Sequence, residues 1–153
     1  QVATPRAFSG EVSLSNTGVT AVTGIDGNVS IQGYRPIISV TADSKTLLLS
    51  ESGKYINFEG TFGGSNSKIL TLPSASSIED FTVGTEIEVV NNSIPSGVGQ
   101  PQPTLTVRVD LGANAGTING LTNIVLTNRY SSATLKLISS TNNVAVWHAR
   151  IVQ

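Results

Sequence analysis

Apolar and polar residues alternate with a period of two along most of this chain, which is typical of β-strands with one buried face. The alternation is cleanest at 104–111, where Leu105, Val107 and Val109 are predicted to face inward and Arg108 outward. No stretch of ten or more residues has the i, i+3, i+4 apolar spacing of an amphipathic helix. Strands are predicted at 11–15, 18–24, 28–33, 36–42, 45–50, 54–60, 68–73, 85–92, 104–111, 122–128, 132–139 and 144–152.

Turn-forming residues separate these strands at short intervals. Asn119-Gly120 predicts a tight turn, 140–143 predicts a hairpin between the last two strands, and 93–103 is a loop rich in proline and glycine. Many short strands with turn signals between them are typical of a sandwich or barrel. We therefore predict an all-β fold, with an antiparallel sandwich of jelly-roll or Greek-key type that forms a knob-like domain over 40–153.

The first 39 residues differ from the rest of the chain, and we call them the stem segment. They are punctuated by glycine and contain few bulky apolar residues, so they cannot bury a core of their own. Copies of the same segment wound together would bury its small apolar positions and pair its strand edges. We therefore predict a short, β-rich stem that forms a homotrimer. Its apolar positions are Val12, Leu14, Val19, Val22, Ile25, Val29 and Ile31.

Composition and charge exclude several classes of function. Charged residues are 12% of the chain and the net charge is −1, so the basic surface needed to bind nucleic acid is missing. The chain has no run of about 18 apolar residues, so no membrane span is predicted. Cysteine and methionine are absent, which excludes disulfides, thiolate catalysis and cysteine-based metal sites.

Few residues offer catalytic or metal-binding chemistry. His148 is the only histidine, and we interpret it as a structural or interface residue. Glu86 and Glu88 share one strand face and allow a glycosidase-like carboxylate pair, although a solvated strand face is the simpler interpretation. A serine hydrolase is disfavoured because no G-x-S-x-G motif occurs. We predict no catalytic residue, no cofactor and no metal site.

Aromatic residues are few and scattered. We interpret Phe58, Phe81, Tyr130 and Trp147 as core residues. Phe62, beside a glycine pair, is the best candidate for an exposed contact residue. With the loop residues Glu79 and Asp80, it makes up the predicted surface contact set. Glu79 and Asp80 lack the alternating oxygen-rich spacing of a calcium loop.

An ordered series of short motifs resembles the terminal domains of bacteriophage tail and fibre proteins. The matching residues are Thr71-Leu72-Pro73, Gly84 with Ile87, Val89 and Asn91, Gly116-Thr117-Ile118-Asn119-Gly120, Tyr130 with Ser132 and Leu135, and Trp147. One departure is that Asn143 lies four positions before Trp147, where that family commonly has asparagine just before the tryptophan. The resemblance covers roughly 40–147 and implies a homotrimeric β-structured knob on a slender stem, on the outside of a phage particle.

Three functions follow as hypotheses. The first is a non-enzymatic tip of a tail fibre, tail needle or head fibre, which joins other virion proteins through its N-terminal segment and contacts a host surface glycan or protein. The second is a trimeric capsid decoration protein that stabilises the shell. The third is a polysaccharide-processing spike domain, which the short length and the lack of an acid/base constellation disfavour.

Overall fold

The computed structural model describes residues 12–14, 20–22, 35–62, 67–73, 81–110, 116–141 and 144–153. Within these ranges the chain is almost entirely β-structure, which confirms the all-β class, and it contains no α-helix. The strands are β1 (Val12–Leu14), β2 (Thr20–Val22), β3 (Ile37–Val40), β4 (Ser44–Thr46), β5 (Tyr55–Phe62), β6 (Lys68–Leu72), β7 (Glu86–Pro95), β8 (Leu105–Val109), β9 (Thr117–Ile118), β10 (Asn123–Leu126), β11 (Ser132–Thr141) and β12 (Val144–Val152).

The described strands form three sheets. β1 and β2 pair with each other as an antiparallel hairpin. A six-stranded sheet has the order β3-β5-β7-β11-β12-β9, and a four-stranded sheet has the order β10-β8-β6-β4. From β3 to β10, successive strands alternate strictly between the two larger sheets. The chain therefore coils, with β3–β4, β5–β6 and β7–β8 as three successive turns.

The turns of this coil stack in parallel. β3 pairs with β5 and β5 with β7 in the six-stranded sheet, and β4 pairs with β6 and β6 with β8 in the four-stranded sheet. Antiparallel pairing joins β7 to β11, β11 to β12 and β8 to β10. The prediction of a mostly antiparallel domain is therefore wrong, because both larger sheets are mixed. An alternating pattern shows which residues face inward but carries no information on the direction of the neighbouring strand.

The link between β3 and β4 crosses from one sheet to the other. Residues 41–43 are short enough for a hairpin, yet β3 and β4 belong to different sheets. The link is thus an arch from one sheet to the other. Lys68, at the start of β6, donates from its Nζ to the carbonyl oxygens of Thr41 (3.1 Å) and Ala42 (2.6 Å). These bonds satisfy arch carbonyls that lie outside both sheet ladders.

Residues 45–50 were predicted as one strand, but only Ser44–Thr46 is a strand and a turn of 3-10 helix follows at Leu49–Glu51. The buried carboxylate of Glu51 explains the change. It lies 2.6 Å from Lys45 Nζ and accepts the backbone N–H of Leu48 at 2.9 Å. These contacts bend the chain back at the end of β4, where alternation alone would continue the strand.

Both larger sheets contribute to one hydrophobic core. The predicted inward positions Leu105, Val107 and Val109 are buried, as are Phe58 and Trp147. Phe81 is also buried. The prediction for Tyr130 is wrong, because 64% of that residue is exposed.

The strand directions give the domain two distinct ends. Strands β3, β5, β7 and β12 all begin at one end, which we call the stem end because the chain enters β3 there. β3, β5, β7 and β10 end at the opposite end, which we call the far end, and the described links 41–43, 96–104 and 127–131 begin there. β7, with ten residues, runs roughly 30 Å from the stem end toward the far end.

The predicted division into a stem at 1–39 and a knob at 40–153 stays a prediction. Within 1–39 the structure describes β1, β2 and residues 35–39, of which 37–39 belong to β3 of the six-stranded sheet, while 1–11, 15–19 and 23–34 lie outside the described residues. No helix in the described ranges is both long enough and apolar enough to cross a membrane.

Candidate functional site

The carboxylate pair of β7 lies at the stem end, on the outer face of the six-stranded sheet. Arg35 reaches both members: its Nη2 is 2.5 Å from Glu86 Oε1 and its Nη1 is 3.8 Å from Glu88 Oε2. All three side chains are about one third exposed. The guanidinium thus occupies the space between two groups that a glycosidase would need to keep open for substrate.

The neighbours of this pair on the outer face are polar. Lys136 of β11 is the register partner of Glu86, and His148 of β12 is the register partner of Lys136. Lys136 and His148 are exposed. Burial raises the pKa of the Tyr55 hydroxyl, and the nearby Glu88 carboxylate raises it further. The face is a solvated strand surface of mixed charge, which agrees with the simpler of the two interpretations of Glu86 and Glu88.

The residues predicted as surface contacts are only partly described. Phe62 ends β5 at the far end, where its backbone is paired with Pro95, and its side chain lies outside the described part. Glu79 and Asp80 lie outside the described residues.

An exposed aromatic residue that the sequence analysis placed in the core lies at the far end. Tyr130 lies in the link between β10 and β11 and is 64% exposed. Its backbone φ is +68°, in the left-handed region that bulky residues rarely occupy. The guanidinium carbon of Arg129 lies 4.6 Å from the centre of the tyrosine ring, in cation–π contact.

Backbone hydrogen bonds hold Tyr130 in this conformation. Its N–H donates to the carbonyl of Asn91 at 2.7 Å, and the N–H of Asn91 donates to the carbonyl of Ser131 at 2.9 Å. Ser131 is buried, and both its N–H and its hydroxyl donate to the carbonyl of Asn128. The turn before β11 is thereby closed on itself and fastened to β7.

The side chain of Asn91 ties this turn to the rest of the far end. It is fully buried, and its Nδ2 donates to the carbonyls of Pro103 (2.8 Å) and Leu126 (3.3 Å). Its Oδ1 accepts the N–H of Ser93 at 3.3 Å. One amide thus joins β7, a residue two positions before β8 and the last residue of β10. We call these contacts the Asn91 network.

Further polar side chains lie beside Tyr130 on the outer face. Arg129 Nε donates to Asn92 Oδ1 at 3.3 Å, and Asn92 is the register partner of Glu59 on β5. Asn57 donates from Nδ2 to Glu59 Oε2 at 2.6 Å. Asn92, Glu59 and Asn57 are half-buried. The result is a contiguous patch, which we call the Tyr130 patch, of one aromatic ring, one cation, one carboxylate and two amides: Asn57, Glu59, Asn92, Arg129 and Tyr130.

The sequence held a signal for this patch that the first interpretation missed. Tyr130 has the same parity as Ser132, Thr134 and Lys136, which all lie on the outer side of β11. If the alternation of β11 is extended two residues toward the N-terminus, it places the side chain of Tyr130 on the outer face. Asn91 gives a similar signal, because a polar residue at an inward position must find partners inside the core.

Among the described residues, no group of three or more histidine, aspartate or glutamate side chains is placed to hold a metal ion. The comparison with protein-family models finds no match for this chain, and the search of curated proteins finds none either.

Proposed function

We propose that this chain is a non-enzymatic component of a bacteriophage particle, a trimeric appendage tip whose far end contacts the host cell surface. Residues 1–39 form the stem, join three copies and connect the tip to other virion proteins. Residues 40–153 form a β-sandwich knob on the outside of the particle.

The polarity of the domain carries this proposal. The chain enters β3 at the stem end, and the exposed Tyr130 lies at the far end with the links 41–43, 96–104 and 127–131. Parallel stacking of successive turns makes a rigid spacer between the two ends, since every turn is hydrogen-bonded to the next. A tip needs this arrangement, because attachment and contact must take place on opposite sides of one body. The motif series noted in the sequence supports the same proposal.

The ion pairs of Arg35 favour a structural component over a polysaccharide-processing enzyme. A retaining or inverting glycosidase needs two carboxyl groups on either side of an open substrate position. Here the guanidinium of Arg35 contacts both carboxylates of the only candidate pair among the described strands. We therefore assign Glu86 and Glu88 a structural role, as the ion-pair partners of Arg35.

Location on the particle tests the proposal directly. Antibodies raised against the purified chain should label the tips of appendages on intact phage particles in immunogold electron microscopy. Labelling spread evenly over the capsid would favour the decoration protein instead, and particles without label would refute both.

Activity gives a second and independent test. Incubation of the purified protein with host surface polysaccharide should release no reducing ends. Release that disappears in both Glu86→Gln and Glu88→Gln, but persists in the exposed control Lys136→Gln, would establish the enzyme in place of the tip.

A further inference from the structure

We infer that the Tyr130 patch at the far end is a binding site for a neutral, hydroxyl-rich saccharide. The inference deepens the proposed function, on which it rests for its biological role. It is carried by the strained backbone of Tyr130, the exposure of its ring and the polar groups that surround it.

The backbone of Tyr130 has a cost without an apparent benefit to the fold. A bulky residue at φ +68° is unfavourable, and glycine or asparagine would occupy the position more easily. The ring does not compensate by packing in the core, because 64% of the residue is exposed. Strain that surrounding structure maintains around an exposed side chain is a signature of a functional position.

The site is held in place before any ligand binds. The turn that carries Tyr130 is fastened to β7 by backbone bonds on both sides of the residue, and the Asn91 network fixes that part of β7. Arg129 is held in turn by Tyr130 and by Asn92. Binding then requires little ordering of side chains, which is one of the costs of association.

The chemistry of the patch selects the class of ligand. An aromatic ring offers an apolar surface for the C–H face of a sugar ring, while planar amide, guanidinium and carboxylate groups donate to and accept from its hydroxyls. Glu59 and Arg129 have opposite charges and both belong to the patch, so the pair does not favour an ionic ligand of either sign. A neutral saccharide satisfies both parts of the patch.

The test uses the intact chain on an array of neutral hexose and N-acetylhexosamine oligosaccharides, with uronic-acid oligosaccharides on the same array. The wild-type protein should bind neutral saccharides. Tyr130→Gly should bind them at least about tenfold more weakly, because it removes the aromatic surface. Tyr130→Phe, which keeps the ring, should retain most of the binding, and Leu121→Ala, an exposed residue in the link between β9 and β10, should bind as the wild type does.

Unfolding in urea separates a binding role from a structural one. Glycine accepts a positive φ without strain, so the unfolding midpoint of Tyr130→Gly should equal or exceed that of the wild type. A variant that loses binding at an unchanged or higher midpoint supports the inference. A lower midpoint would mean that the tyrosine serves the fold, and would overturn it.

Three other outcomes would overturn it as well: no saccharide bound by the wild type, binding to uronic-acid oligosaccharides only, or undiminished binding by Tyr130→Gly. None of them depends on where the chain lies on a particle. Appendage labelling without saccharide binding would leave the proposed function standing and remove this site. Saccharide binding without appendage labelling would do the reverse.

Discussion

Asn91 is a buried polar side chain on which several parts of the far end depend. Its amide makes three hydrogen bonds to backbone groups of Ser93, Pro103 and Leu126. Buried groups that lose their partners cost more than the lost bond alone is worth, because they also lack water. The residue thus connects β7 of the six-stranded sheet to the ends of β8 and β10 in the four-stranded sheet.

We expect Asn91→Ala to lower the free energy of unfolding by about 2–4 kcal/mol, because it leaves buried backbone groups without partners. Urea denaturation followed by tryptophan fluorescence measures the change, since Trp147 lies in the core. The matched control is Asn123→Ala, an exposed asparagine of β10, which should change stability by less than about 0.5 kcal/mol. Equal effects of the two substitutions would contradict the role given to the Asn91 network.

Lys68 gives the domain a pH dependence of known sign. Its side chain points inward from β6, and burial lowers the pKa of its ammonium group, while Asp43 acts in the opposite direction. Between the lowered pKa of the folded state and the ordinary value of about 10.5, the unfolded chain binds more protons than the folded one. Stability must therefore rise with pH in that window.

The comparison with Lys68→Met isolates this effect from other titrating groups. We expect the free energy of unfolding of the wild type, relative to that of Lys68→Met, to increase as the pH is raised through the lowered pKa toward the ordinary value of about 10.5. Urea unfolding at several pH values measures the difference. A difference that falls over the same range would mean that the folded state raises this pKa.

At the scale of elements, the sequence predicted strand positions well and strand partners poorly. Period-two alternation located β5, β6, β8, β11 and β12, and it assigned the inward residues of β8, since that pattern reflects burial on one face. The direction of a strand depends on which sheet each connection leads to. The arch at 41–43 is held by Lys68 of β6, which is far from it in the sequence. Local residue patterns carry no information on such contacts.

Of the candidate site, too, the sequence predicts the facing of residues but not their distant contacts. The outward face of Glu86 and Glu88 could be predicted from alternation, while their contacts with Arg35 could not, because they join residues far apart in the chain. Tyr130 could have been placed outside by its parity with Ser132. Its positive φ could not have been foreseen, because it follows from hydrogen bonds to Asn91 on β7.

One substitution next to β9 tests how closely this two-residue strand packs against β12. β9 runs parallel to β12, and a Cβ atom added at Gly116 would lie 2.2 Å from the carbonyl oxygen of Ala145. The added Cβ would meet a backbone carbonyl, which cannot rotate away as a side chain can. The segment at Gly116 and β9 would therefore have to move away from β12. We expect Gly116→Ala to cost about 1–3 kcal/mol in the free energy of unfolding.

The control for this substitution is Gly97→Ala. Gly97 has no heavy atom within 4 Å of the added Cβ, so alanine there should change stability by less than about 0.5 kcal/mol. Both variants are compared by urea denaturation. If Gly116→Ala is as stable as Gly97→Ala, β9 does not pack against β12 as described.

At the scale of the whole molecule, assembly is the property that the proposed function most requires. We expect the intact chain to sediment at equilibrium with the mass of a homotrimer at micromolar concentration. Three copies bring identical far ends together, so that weak contacts with a repetitive surface add up. A monomer mass would remove the stem-and-knob arrangement.

Substitutions in β1 test whether the stem segment holds the copies together. Val12→Asp with Leu14→Asp places charge at two of its predicted apolar positions, and the trimer should dissociate. The matched control, Ser13→Asp with Ser15→Asp, adds the same charge at the intervening positions and should leave the mass unchanged. Dissociation of both variants to the same extent would show that net charge, and not an apolar contact, determines the assembly.

The stacked coil has a consequence for how such a domain can diverge. Within the coil each turn is hydrogen-bonded to the turns beside it, and the third turn also pairs with β10 and β11. Insertions at the exposed residues 96–101 therefore leave strand register intact, and gain or loss of a complete turn changes the width of the domain without altering its ends. Selection can thus remodel the far end rapidly while the framework beneath it stays the same.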